Sequence, residues 1–292
     1  EYVQGSKVTM GAPFYNRVNL TIGLLLLFLT DIGPLLAWRS TSLRSMRRNF
    51  VLPLIAMGVA LVALLATGLH PWNAGDDMRA AWFSLMTFTL AAGVITAIAS
   101  EFLRGAAVVH KQTGKNLAAS TILLVRRNTR RYGGYVVHFG IVVLFIGIAG
   151  GAFNQSHEQE MGYRDQVTIG PYRLVCQSFT QDSNPNYDTE YALLDVYKGG
   201  KKITQLAPER RFYKASQTSS TIVALHSTLE SDLYVIYEGR NPDTDRPIIK
   251  FFINPLINWI WIGVAIGVFG TLLALVPSLK PGAARARVEA EP

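Results

Sequence analysis

Apolar residues fill long unbroken blocks through the first half of this chain. They thin to short alternating runs in its third quarter and form one more block near the end. A helix rises ~1.5 Å per residue, so blocks of about 18–25 apolar residues match the ~30 Å hydrocarbon layer of a bilayer. Five spans are predicted, at about 17–38, 50–69, 81–103, 132–153 and 251–277. Residues 105–125, GAAVVHKQTGKNLAASTILLV, read as a helix lying on the inner membrane face before the fourth span. Over 154–250 the period drops to two: YRLVCQS, EYALLDVY, KKITQL, STIVALH and DLYVIYE alternate and are broken by DSNPNY, KGGK and RNPDTDRP. Such runs with Gly, Pro and Asn punctuation predict a small antiparallel barrel or sandwich, and KGGK is the clearest hairpin turn. The expected fold class is a polytopic α-helical membrane protein of about five transmembrane helices with an inserted all-β domain. Its parts are 1–153 (four helices, basic loops, interfacial helix), 154–250 (β domain) and 251–292 (fifth helix and tail).

Charge orients these spans. The loop after the first carries Arg39, Arg44, Arg47 and Arg48. The loop after the third carries Arg104, Lys111, Lys115, Arg126, Arg127, Arg130 and Arg131, and neither loop holds an acid. The turn HPWNAGDDMR has two aspartates and one arginine. By the positive-inside rule the basic loops and the KPGAARAR tail are cytoplasmic, while the N-terminus, the HPWNAGDD turn and 154–250 lie outside. The net charge of +8 is therefore explained by lipid headgroups, with no nucleic-acid partner expected. The first block follows a polar segment and lacks a small-residue cleavage pattern, so it is not read as a removable signal peptide. The chain begins at Glu1, which is expected of a fragment, a processed product or a split subunit. Cys176 is the only cysteine; this excludes an internal disulfide, a CxxC redox pair and a thiolate cluster, and Cys176 reads as a small buried strand residue.

The fourth span, RRYGGYVVHFGIVVLFIGIAG, holds the one histidine deep within an apolar block. At ~100° per residue, Gly134, Ile141, Val142, Phe145 and Ala149 share the side of His138. Gly133, Gly140, Gly147 and Gly151 line the opposite side, where small residues allow close approach of another helix. His138 lies seven residues past Arg131, so it sits roughly 10 Å from the inner interface. Two readings stand: a neutral histidine hydrogen-bonded to a neighbouring helix, or an axial ligand to haem iron with space beside the ring at Gly134. No second ligand is on offer here, since His70 lies at the outer membrane edge and His110, His157 and His226 fall outside the spans.

At these residues a resemblance becomes specific. RRNTRRYGGYVVHFGIVVLFIGIAG resembles the hallmark span of the CcmF family, haem lyase subunits of cytochrome c maturation. GAPFYNRVN, GPLLAWR, APERRFY and PLINWIWIGVAIGVFGTLLAL resemble further segments of that family in the same order. The resemblance covers nearly the whole chain and implies the C-terminal part of such a protein. It places the tryptophan-rich WWD segment, its two flanking histidines and the first membrane haem-ligand histidine upstream. It implies that His138 is the second axial ligand of a structural haem b, with its partner histidine outside this chain, and that Gly134, Arg130 and Arg131 lie in the haem's vicinity. It implies a lyase that receives haem from a periplasmic haem chaperone and attaches it to the thiols of Cys-x-x-Cys-His in apocytochrome c. The protein's part is orientation and redox control rather than covalent catalysis, so no catalytic side chain is expected. The implied partners are the upstream half of the same protein, the haem chaperone, a thiol-handling protein and apocytochrome c. The implied location is the bacterial inner membrane with the β domain in the periplasm. The rival reading is a non-catalytic assembly scaffold of cytochrome c biogenesis that binds no cofactor. A small permease is disfavoured by the shortage of polar residues in the spans.

Other residues carry blander expectations. His70 with Trp72, and Tyr132, Tyr135, Trp259 and Trp261, read as interfacial anchors. Asp31, where the family usually carries a neutral residue, reads as half of an ion pair with Arg39 or the next loop, against a proton or quinone role. Arg126, Arg127, Arg130 and Arg131 read as orientation charges, against pairing with haem propionates. Gly263 and Gly267 read as a small-x-x-x-small helix contact. Glu209, Arg210 and Arg211 read as a strand-edge salt bridge, against a docking site, and exposed sheet edges as places where an unfolded apocytochrome adds a strand.

Overall fold

The computed structural model describes residues 12–35, 43–75 and 78–279, with side chains over 18–30, 49–75 and 78–279. Two compact units emerge, one of residues 1–149 with 259–292 and one of 150–258. The readings of Asp31, Trp38, Arg39, Arg44, Arg47, Arg48 and the KPGAARAR tail lie outside the described side chains.

The helical unit contains α1 (Ala12–Leu35), α2 (Leu43–Ala66), α3 (Met78–Thr113), α4 (Leu117–Arg127), α5 (Thr129–Ala149) and, from Trp259 on, α6 (Ile257–Leu275). Among the described residues four segments are long and apolar enough to cross a membrane: Asn49–Asn73, Met78–Thr113, Thr129–Phe153 and Ile257–Leu275. In α1 the described apolar stretch is Val18–Thr30. Leu27 of α1, Ala91, Val94 and Ile98 of α3 and Val142 of α5 form one interior. Ser84 of α3 donates to the Ala149 carbonyl at 2.6 Å, so a small hydroxyl is satisfied where water is absent.

Two helix boundaries differ from expectation. Residues 105–125 do not form one interfacial helix. Instead α3 runs on for 36 residues to Thr113, and α4 folds back against it as a helical hairpin. The cause is local: Gly114 takes a left-handed φ of +65°, and the Asn116 side chain then caps α4 by accepting the Ala119 N–H at 2.8 Å. The hairpin closes on Ala106, Val109 and Leu124. The apolar run from 251 begins as a strand, and helix starts only at Ile257. Leu256 breaks the run at φ +61°, just after Pro255.

The second unit is an antiparallel sandwich of ten strands: β1 (Gln155–Glu160), β2 (Gln166–Ile169), β3 (Tyr172–Ser183), β4 (Tyr187–Lys198), β5 (Lys201–Leu206), β6 (Glu209–Tyr213), β7 (Thr218–Ile222), β8 (Ala224–Ser227), β9 (Ser231–Arg240) and β10 (Pro247–Pro255). One sheet has the order β1-β10-β9-β8; the other has β2-β3-β4-β6-β7, with β5 also on β4. KGGK does turn β4 into β5, with both glycines at positive φ (59° and 81°), which a two-residue hairpin loop demands. Tyr172, Leu174, Leu194, Leu233, Val235, Ile249 and Phe251 fill the core at 0% exposure. Cys176 is buried among them, and burial pushes its thiol up to about 11, as an inert core residue should show.

Candidate functional site

The site is built on α5, whose first turn is fixed from two sides. On one side the Thr129 hydroxyl donates to the Val276 carbonyl at 2.5 Å and lies 2.9 Å from Ser278 Oγ, while Leu279 N–H bonds to the Arg126 carbonyl at 2.9 Å. These bonds set the C-terminal end of α6 beside the start of α5, so the two helices run antiparallel. Above this clasp they approach to backbone contact. A Cβ on Gly133 would stand 2.6 Å from the backbone nitrogen of Ala274, and one on Gly140 would stand 2.6 Å from that of Gly267. From the other helix, a Cβ on Gly263 would meet the Leu144 nitrogen at 2.5 Å, and one on Gly270 the Val137 nitrogen at 2.6 Å. The contact expected of Gly263 and Gly267 is present and extends to Gly270. A side chain on Gly267 would meet nothing within 4 Å, although its backbone receives Gly140.

On the second side, the base of α5 is tied to α3 by charge. Arg131 Nη2 donates to Glu101 Oε2 at 2.7 Å, and its Nε to the Tyr135 hydroxyl at 3.1 Å. Arg104 pairs with the other oxygen of Glu101 at 3.3 Å, and also donates to Ser100 O and to the Asn49 side chain of α2. Glu101 thus joins α2, α3 and α5 at one level, with only 16% of its side chain exposed. Sequence reasoning passed over this residue, though an acid three positions inside the basic end of a span was the available signal. Replacing Glu101 with Ala is expected to lower stability by about 1–2 kcal/mol in chemical denaturation in detergent. That is below the cost of breaking a fully buried pair because more than half of the Arg131 side chain faces solvent. Glu101→Gln keeps an acceptor and should lose less.

His138 faces away from the glycine seam. It is half-buried, and its Nδ1 is buried without a hydrogen-bond partner. One turn earlier a Cβ on Gly134 would meet nothing within 4 Å, so the space beside the ring is open. Farther along the same face the Phe145 ring presses on Gly23 of α1, where a Cβ would lie 2.5 Å from it. The neighbours named for His138 do not all converge on it. Gly134 adjoins its face, Arg131 is engaged by Glu101 and Tyr135, and Arg130 is exposed, as are Arg126 and Arg127. Tyr132 and Tyr135 are not interfacial belt residues. They are 3% and 9% exposed and pack edge-to-face on each other, with Tyr132 also edge-on to Phe102, because the α4 hairpin and α3 cover them. His70 stacks on Trp72 at 5.1 Å. Trp261 is 71% exposed.

In the sandwich, Arg211 pairs with Glu209 and lies 4.7 Å over the Tyr187 ring, while Arg210 donates to the Glu238 carbonyl at 2.9 Å. Both arginines are therefore engaged within the sandwich itself.

Comparison with known proteins accords with this architecture. Residues 152–255 match the family described as CcmF C-terminal beta-sandwich. The chain is 27% identical over 276 residues to the cytochrome c-type biogenesis protein CcmF of Pseudomonas aeruginosa, covering 94% of this chain and 39% of that protein. It is 29% identical to CcmF of Haemophilus influenzae, over 92% of this chain and 39% of that protein. With CycK of Bradyrhizobium diazoefficiens the identity is 26%, over 99% and 43%. A solved structure named Cytochrome c Heme Lyase CcmF superposes with a TM-score of 0.66 at 22% identity, covering 91% of this chain and 41% of that one. The chain therefore spans about two fifths of the length of these relatives. Over nearly all of its own length, the chain is similar to CcmF-type cytochrome c biogenesis proteins, and its residues 152–255 match the CcmF C-terminal beta-sandwich.

Proposed function

We propose that this chain is the C-terminal part of a membrane-bound cytochrome c haem lyase and that His138 is one axial ligand of a haem b. The observation that carries the reading is His138 itself: a half-buried imidazole within a membrane helix, one nitrogen without a partner, beside the open position at Gly134. Haem iron takes a neutral imidazole through an accessible ring nitrogen, and the unpartnered Nδ1 means that the ring is not held at that atom by a structural hydrogen bond. Bound there, the haem supplies one-electron chemistry. The chain's own residues supply placement. The glycine seam with α6 sets the back of α5, and the Glu101–Arg131 pair sets its base. No side chain of this chain is assigned a covalent role in joining haem to the Cys-x-x-Cys-His thiols of apocytochrome c.

The second axial histidine is assigned to the upstream part of the protein, consistent with a chain that spans two fifths of its relatives. Exposed Arg126, Arg127 and Arg130 support a cytoplasmic placement for that end of α5, and the sandwich is assigned to the periplasmic side of an inner membrane. There it is assigned to docking the haem chaperone, the thiol-handling partner and apocytochrome c. The test is an optical spectrum of the chain purified alone and with its upstream complement. A reduced b-type spectrum in the assembled protein, absent from the chain alone, is the expected result. An assembled, folded protein with no haem absorption would overturn the reading in favour of a cofactor-free scaffold.

A further inference from the structure

Five strands of the sandwich lie at sheet edges: β1, β8, β2, β5 and β7. Edge strands expose unpaired N–H and C=O groups, and proteins normally protect them with charge, proline, bulges or brevity. β1 carries Glu158 and Glu160, with Glu158 paired to Lys250 at 3.0 Å. β5 begins Lys201, Lys202, with Lys202 paired to Asp195 at 2.5 Å. β2 and β8 are four residues each. β7, Thr-Ser-Ser-Thr-Ile, has none of these devices. It contains no charge and no proline, it pairs with β6 in unbroken register from Thr218↔Tyr213 to Ile222↔Glu209, and all five residues are exposed. Among the described residues, no backbone hydrogen bond ties it to anything but β6. Every second residue must turn its N–H and C=O outward, so the free edge offers about four to six bonds to an added antiparallel strand.

We infer that β7 is a docking edge that captures an extended segment of unfolded polypeptide by strand addition. The identity of that polypeptide as apocytochrome c rests on the function proposed above. The strand spans ~17 Å at ~3.4 Å per residue, room for about five client residues. The short polar side chains of Thr218, Ser219, Ser220 and Thr221 crowd no particular client sequence. Recognition therefore reads backbone rather than side chains, which suits a client that varies outside its attachment motif.

The test uses the full chain in detergent micelles and a fluorescent peptide of about twelve residues that carries Ser-x-x-Ser-His in place of Cys-x-x-Cys-His. Expected results are saturable binding, a scrambled peptide binding within about threefold, and hydrogen exchange slowed at residues 218–222. Methylating alternate backbone nitrogens of the peptide should weaken binding at least tenfold. The double substitution Ser219→Lys, Thr221→Lys should do the same, because it charges the edge while keeping the β6 ladder. Its fold is confirmed by unchanged exchange protection in β9 and β10. Wild-type affinity in that variant, or protection appearing at another strand, would overturn the inference. So would a concentration-dependent size change showing that β7 pairs with a second copy. Haem absorption measured on the same variants assembled with the upstream complement separates the two readings: a variant that binds haem there but still captures peptide normally sinks the edge alone. An assembled protein that never binds haem, with peptide still lost on edge substitution, upholds the edge and sinks only the haem reading.

Discussion

A His138→Ala protein, assembled with its upstream complement, should lose its b-type absorption almost entirely, at least tenfold in haem per chain by pyridine haemochrome assay. It should melt close to the parent temperature. The two halves of that expectation have separate causes. Folding is expected to change by less than about 1 kcal/mol, because the ring is only half-buried and its Nδ1 has no partner left orphaned by truncation. Haem binding should collapse because no other histidine of the described structure stands within a membrane segment on that face. His110 binds the Lys115 carbonyl in the last turn of α3, and His226 packs edge-on against Tyr172 in the sandwich. A His138→Gly protein supplied with free imidazole should regain part of the spectrum, since the missing donor is then delivered through the same opening. A Soret band that survives His138→Ala at parental height would remove His138 from the ligand set.

Gly140→Val is expected to have the largest effect on folding, about 3 kcal/mol or more. Its new Cβ would lie 2.6 Å from the Gly267 nitrogen and 2.7 Å from the Gly263 carbonyl, both backbone atoms that cannot swing aside. The two helices would have to separate, taking with them the 2.5 Å bond from Thr129 to Val276. The control lies in the same helix. Gly134→Ala introduces a Cβ that meets nothing within 4 Å, and Ala favours helix over Gly by about 1 kcal/mol, so the haem-free chain should be as stable as the parent or slightly more so. Thermal unfolding of both variants in one detergent decides the matter. Equal losses for the two would mean that the seam with α6 does not hold α5 in place.

The contrast between these glycines was partly legible in the sequence. A wheel at 100° per residue separated Gly133 and Gly140 from Gly134 and His138, because helical periodicity depends on the chain alone. It could not find the partners. Gly263 and Gly267 were chosen on spacing and both lie in the seam, but Gly270 was missed, since the meeting line depends on how α6 is rotated against α5. Glu101 could be noticed as an acid near the basic end of a span, but its partner could not: Arg131 lies 30 positions away, and only the packing of α3 on α5 brings them together. Tyr132 and Tyr135 looked like belt residues because aromatic residues next to arginines commonly are, but α4 turns back and buries them. The stop at Gly114 and the cap at Asn116 were ordinary local signals, outweighed by the reading of 105–125 as one helix on the inner membrane face. Residues 251–255 failed differently. Phe251 and Ile253 face the core while Phe252 sits between them, and a short apolar run of this kind fits a strand or a helix equally well.

The glycines of the α5–α6 seam recur at intervals of seven, Gly133 and Gly140 on one helix and Gly263 and Gly270 on the other. A slide by one turn, ~5.4 Å, would carry Val137 or Leu144 into a place that admits only hydrogen, and a roll of one position would do the same. The pair can mesh again only after a shift of about seven residues, ~10 Å, far beyond any ordinary breathing motion. α5 is in effect an indexed shaft with one usable notch. Whatever reaches His138 must come to a fixed imidazole, and exchange of its occupant has to proceed by movement on the opposite face, where α1 and α3 pack, rather than by travel of the helix that bears it.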